Sequence, residues 1–177
     1  MTDIFLTDED PIVCAETLCD QHLLLQITHV SWILSALAKG FGVTGEMYGE
    51  PAPADNKIVE WAREKEDRGL WLGLYSGCLI AEYESRFGLE DYPEEFGVIS
   101  ACNKLLIMLF ECGKEGEEME LIVPNIWWKL NPFESYKKQL TEELNIIDCA
   151  WTKSYPPYWL KKSGIQLTRK GDRIFKQ

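Results

Sequence analysis

Apolar residues recur along the first forty positions with the spacing of one helix face. Between Pro11 and Lys39 they fall at 18, 23, 27, 30, 34 and 37, mostly in steps of three and four. Asp8, Asp10 and Pro11 favour a helix start, because acids suit a first turn and Pro fits its first position. Gly40 and Gly42 end it, which predicts one long helix over 11–39. The Gly/Pro-rich stretch 42–55 is loop. Apolar positions 58, 61, 70, 71, 74, 78, 79 and 83 then predict helix from Asn56 to Gly88, bending or breaking at Gly69. "LEDYPEEFG" is a turn region, "VISACNKLLIMLFECG" a buried helix and "KEGEEME" an exposed acidic loop. "LIVPNIWWKLNP" is too short and too Pro-bounded for a long helix. A final helix is predicted over "FESYKKQLTEELNIIDCAWT", with Glu134 and Lys138 one turn apart. Pro156 and Pro157 forbid helix across "SYPPYWLKKSG", and "KGD" predicts a small hairpin in the tail. The expected fold is mostly α, a compact single domain over 1–177 with about five helices and little or no sheet.

The composition agrees with a packed chain. Seven Trp, seven Tyr and seven Phe in 177 residues argue against disorder. The start "MTDIFLTDEDP" carries acids where a secretory segment needs Lys or Arg, and no run reaches the ~18 apolar residues of a membrane span. No membrane partner is therefore expected. Cysteines at 14, 19, 78, 102, 112 and 149 form no CxxC, which predicts free thiols in a reducing cytoplasm. The net charge of −11 makes an acidic body that repels a phosphate backbone at long range. Residues 151–177 depart from it, with seven Lys/Arg and one acid, Asp172. That tail is either a solvated end or the one basic stripe open to phosphate.

Both histidines lie in "TLCDQHLLLQITHV". On a helix Cys19, His22, Gln26 and His29 share a face, and Asp20 lies round the cylinder from them. His22 and His29 are two turns apart, about 10 Å along the axis, too far to ligate one ion easily. No HExxH, GxGxxG or Walker loop is present, so no metal and no cofactor is expected. Two readings stay open for the pair: imidazoles satisfied within the core, or acid–base and ligand contacts near neutral pH.

Further along, "EWAREKEDR" offers Arg63 and Glu64, an arginine fork on a helix beside a carboxylate, suited to phosphate. The alternative is a solvated face with Glu64 and Arg68 paired one turn apart. Arg86 in "EYESRFG" has the same two readings. Trp61 and Tyr83 read as core, and "IWWKL" as core or a partner surface.

The string "LCDQHL" resembles the L-x-D-Q-H-L stretch of phage pyrimidine dimer DNA glycosylases, the endonuclease V of ultraviolet-damage repair. A broader family of small tailed-phage proteins is similar along more of the chain. Its marks occur here in order: "IFLTDEDP", "CDQH", "EWARE" at 60–64, "EYESRFG" at 82–88, "NPFESYKKQL" at 131–140 and "AWTKSYPPYWL" at 150–160. The resemblance implies a compact all-α fold. It also implies removal of Met1, after which the free amine of Thr2 attacks C1′ of a damaged nucleotide to form an imine. A helix carboxylate assists, and β-elimination cuts the strand. An α-amine suits this because its pKa near 8 leaves much of it neutral. The enzyme's basic, aromatic C-terminal strip has its counterpart in Trp159, Lys161 and Lys162, suited to base stacking with phosphate contact or to a lid over the core.

Three positions depart from that enzyme. Its catalytic Glu is His29 here, the Arg before it is Thr28, and the Arg after the N-terminal Thr is Asp3. Imidazole moves protons but does not stabilise an oxocarbenium charge as a carboxylate does. Two expectations follow. One is a glycosylase or abasic-site lyase on damaged or modified pyrimidine in DNA, with Thr2 as nucleophile and His29 and His22 as helpers. The other is a non-catalytic phage protein on the same scaffold, acting in the host cytoplasm. It binds a nucleotide-like ligand in a pocket lined by His22, His29, Arg63 and Arg86, or a host protein by counter-defence or DNA mimicry. A third reading is a structural or interaction protein whose histidines fill the core.

Overall fold

The computed structural model describes residues 4, 6–8, 10–42, 51–53, 55–88, 93–110, 137, 150–153, 157, 159–160, 168–169 and 172–173. Among them are five helices: α1 (Pro11–Thr17), α2 (Asp20–Gly40), α3 (Lys57–Glu64), α4 (Glu66–Phe87) and α5 (Glu95–Phe110). The predicted hairpin around "KGD" is present as an antiparallel pair, β1 (Thr168–Arg169) and β2 (Asp172–Arg173), with Thr168 opposite Arg173. The mostly-α, five-helix expectation holds, although three helix boundaries fall elsewhere: the breaks before α2 and before α4, and the start of α5, which lies at Glu95 inside the expected turn region.

Each boundary has a local cause. The Asp10 side chain accepts from the Ile12 amide at 2.8 Å and Pro11 opens α1. The single helix expected over 11–39 is two helices, because Leu18 and Cys19 are both extended. The apolar spacing runs on across that step, so periodicity alone does not reveal it. Asn56 caps α3 by accepting from the Ile58 and Val59 amides. The second break falls at Lys65 (φ −147°, ψ 140°), and Gly69 lies buried inside α4. Gly88 ends α4 at φ 86°, ψ −168°. The helix expected over 133–152 lies mostly outside the described residues. Its last residues, Trp151 and Thr152, are not helical, and the next, Lys153, has φ 55°.

α4 is the hub, packed against α1, α2, α3 and α5. The core joins Leu23, Ile27, Leu34 and Leu37 of α2 to Leu72, Tyr75 and Leu79 of α4 and Ile99 of α5. Ile4 and Leu6 enter it from the N-terminal side, and Trp151 and Leu160 from the C-terminal side. A fully buried side chain of this kind contributes about 1.5–3 kcal/mol before conformational entropy. α2 is the one described helix long and apolar enough to cross a membrane by length and composition, and it is mostly buried in this fold.

Candidate functional site

The break between α1 and α2 is held by one arginine. A helix end leaves its last carbonyls without intrahelical partners. At α1, Cys14 O accepts from Thr17 Oγ1 and Ala15 O from the Leu18 amide. Arg86, 1 % exposed, supplies the next group: Nη2 donates to Glu16 O and Nη1 to Leu18 O. Trp151 Nε1 donates to Thr17 O at 3.4 Å. The same guanidinium reaches Asp20 Oδ1 at 3.1 Å and Glu82 Oε1 at 2.7 Å. A cation at a helix C-terminus and an acid at the next N-terminus both suit the helix dipoles. Asp20 in turn binds the C-terminal segment. Its amide donates to Ala150 O, and its carboxylate accepts from the Thr152 amide and Oγ1.

α4 carries a second arginine of the same kind. Arg68 Nη1 donates to Trp61 O at the end of α3, pairs with Glu64 and lies over the Trp61 ring. Arg63, at the end of α3 and exposed, donates from Nη2 to Ala36 O near the end of α2. Its guanidinium lies against Gly40, where a Cβ would come within 2.7 Å of Nη2.

On α2 the polar face expected from the sequence exists, and it points inward. Cys19, His22, Gln26 and His29 are all buried, the histidines at 5 % and 9 % exposure. Tyr75 donates its hydroxyl to Gln26 Oε1, and the His29 ring lies 5.7 Å from that of Trp32. Thr28 donates from Oγ1 to Glu95 Oε1 at 3.0 Å. Among the described residues no cluster of three His, Cys, Asp or Glu is placed to hold a metal.

Two clefts flank α1. The larger, about 630 Å³, lies between α1 and α4. Ile12, Ala15, Leu70, Leu74 and Ala81 form its apolar walls, with Glu16, Glu82 and Asn103 as polar members. Cys78 also lines it. Burial pushes that thiol's pKa up, and Asp10 and Glu16 push it further. The smaller cleft, about 200 Å³, joins Thr7 and Asp8 to Glu16, Lys137 and Trp159. The Lys137 ammonium stands 6.0 Å from the Trp159 ring.

The residues singled out from sequence are thus not gathered in one place. Arg86 is spent on protein groups inside the fold. Arg63 lies over the end of α2, and Glu64 pairs with Arg68. Trp159 lines the smaller cleft, while Thr2, Lys161 and Lys162 lie outside the described residues. The sequence reading missed Asp20 and Thr152 as partners. The available signal was an acid at a helix start, but 132 residues separate the pair. It also missed the larger cleft, since Gly73, Gly77 and Ala81 read only as helix interior.

Comparisons with protein-family models, with curated proteins and with solved structures find no match.

Proposed function

We propose that this chain is a non-catalytic binding protein on an endonuclease V-like scaffold. The observation that carries the reading is the Thr28–Glu95 pair. The resembled enzyme presents an Arg to phosphate at the position of Thr28. Here a hydroxyl bonded to a carboxylate stands in its place. A carboxylate there repels a DNA phosphate, in keeping with the net charge of −11. His29, where the enzyme has its Glu, is buried beside Trp32. Scaffold kinship draws support from a different set of residues. Asp20 of "CDQH", Glu82 and Arg86 of "EYESRFG", and Trp151 and Thr152 of "AWTKSYPPYWL" meet in one network. These marks serve the fold, so keeping them while changing the chemical positions fits a scaffold put to binding. The larger cleft is the binding site in this reading. Its carboxylates disfavour a phosphate-bearing nucleotide.

The second reading, an N-terminal amine lyase, is favoured by one observation. Ile4 and Leu6 are anchored in the core, and Thr7 and Asp8 share a cleft with Trp159. Borohydride trapping separates the two. The protein, with Met1 removal verified by mass, is mixed with ultraviolet-damaged and abasic duplexes and then reduced. The expected result is no covalent adduct on either. An adduct lost when Thr2 is masked by an N-terminal extension establishes imine chemistry and overturns the binding reading.

A further inference from the structure

We propose that the cleft between α1 and α4 binds an apolar organic cation, an alkyl or aryl ammonium ion. Its hydrocarbon body would lie along Gly73, Gly77 and Ala81, with its charge towards Glu16 and Glu82. The proposal rests on the binding reading above and names the ligand class.

Size is the first argument. A volume of about 630 Å³ matches one small organic molecule, and a mostly apolar wall with few polar groups is the usual make-up of such a site. Ile12 and Leu74 stand at the cleft 55 % and 53 % exposed, large side chains left facing water. At Gly77 an added Cβ would meet nothing within 4 Å, so the space beside the α4 backbone is open.

Charge is the second argument. No Lys or Arg is among the described lining residues, whereas Glu16 and Glu82 are. The nearby Arg86 is shared by Asp20 and Glu82, one cation for two carboxylates. Asp10 and Glu16 add negative charge that the Cys78 thiol already feels. An ammonium ion gains from that field, a neutral chain gains only from burial, and a carboxylate is repelled.

Calorimetric titration of the full chain with decyltrimethylammonium and decanoate, each below its micelle concentration, and with decanol below its solubility limit tests this. The cation is expected to bind about tenfold more tightly than decanol, with decanoate weakest. Gly77→Leu fills the cleft and abolishes binding of the cation, with a melting temperature no lower than the native chain's showing that the fold survives. Glu16→Gln removes several-fold of the cation's advantage and leaves decanol unchanged. No saturable binding to the native chain, equal binding of decanoate, or native affinity in Gly77→Leu overturns the proposal. So does sedimentation showing that two copies of the chain close this cleft, or displacement of the cation by a basic amphipathic helical peptide at lower concentration. The non-catalytic reading fails separately, on a borohydride adduct, so the two failures are distinguishable.

Discussion

The Asp20 carboxylate accepts from Thr152 Oγ1 at 2.8 Å, and from the Thr152 amide and Arg86 Nη1 at 3.1 Å each, to its Oδ1. It joins the start of α2, the end of α4 and a segment 132 residues later in the chain. Removing one partner of a buried ion pair strands the other, which typically costs 3–5 kcal/mol. Glu82 still pairs with Arg86 at 2.7 Å, so Asp20→Ala is expected to cost less than that, about 1.5–3 kcal/mol, from the lost charge-assisted bonds to Arg86 and Thr152. Thr152→Ala removes one hydroxyl and costs about 1 kcal/mol. Urea unfolding of the single and double variants checks this. The double variant should lose less than the sum of the two, since both act on one carboxylate.

Arg68 and Glu64 form an ion pair whose two ends have unequal weight. Glu64 is 67 % exposed and Arg68 is buried, with Nη1 also on Trp61 O. Glu64→Gln is expected to change stability by less than about 1 kcal/mol, as for most surface pairs. Arg68→Met leaves the Trp61 carbonyl without that donor at a helix end and removes the contact with the Trp61 ring. Its expected cost is about 1–3 kcal/mol. Equal costs for the two variants in denaturant unfolding would show that the pair, and not the cap, matters.

The two arginines also show where sequence reading stops. The spacing of apolar residues marks most of the helical stretches and puts Cys19, His22, Gln26 and His29 on one face without saying that it points inward, and the turn residues of "KGD" mark the hairpin. These depend on neighbours within a few turns. The break at Leu18–Cys19 did not show, because what holds it is Arg86, 68 positions away from Leu18. For the same reason Arg86 read equally well as ligand-facing or solvated and is neither. The second break falls at Lys65, a position that no sequence signal singles out. Gly69 was favoured on intrinsic propensity, yet α4 keeps it, packed in the interior. The larger cleft needs α1 and α4 side by side, a long-range arrangement that no local pattern states.

Gly88 closes α4 in a region of backbone space that glycine alone occupies readily, at φ 86°, ψ −168°. Its amide donates to Glu84 O. A Cβ there meets nothing within 4 Å, so any cost of Gly88→Ala comes from the backbone itself. The expected loss is about 1–3 kcal/mol, measured by thermal or urea unfolding. Gly77→Ala, inside the same helix with equal open space, is expected to stabilise by up to about 1 kcal/mol. The opposite signs separate conformation from packing.

Two buried thiols make stability fall at alkaline pH. Burial pushes Cys14 up to about 11, against weaker opposing bonds from the Asp8 and Thr7 backbone. Burial also pushes Cys102 to about 11, offset in part by Ser35. In the unfolded chain both titrate near 9.0. Below that pH both states hold the proton, and the thiols' contribution is fully present. Between about 9 and 11 the unfolded chain releases protons that the folded chain keeps, so stability falls as pH rises, by up to about 3 kcal/mol for each thiol. Urea unfolding from pH 8 to 11 should show this slope, and Cys14→Ala with Cys102→Ala should flatten it. An unchanged slope in the double variant would assign the loss to other groups. In the same range a thiol reagent should modify Cys78 before Cys14 and Cys102, because Cys78 is the least buried of the three.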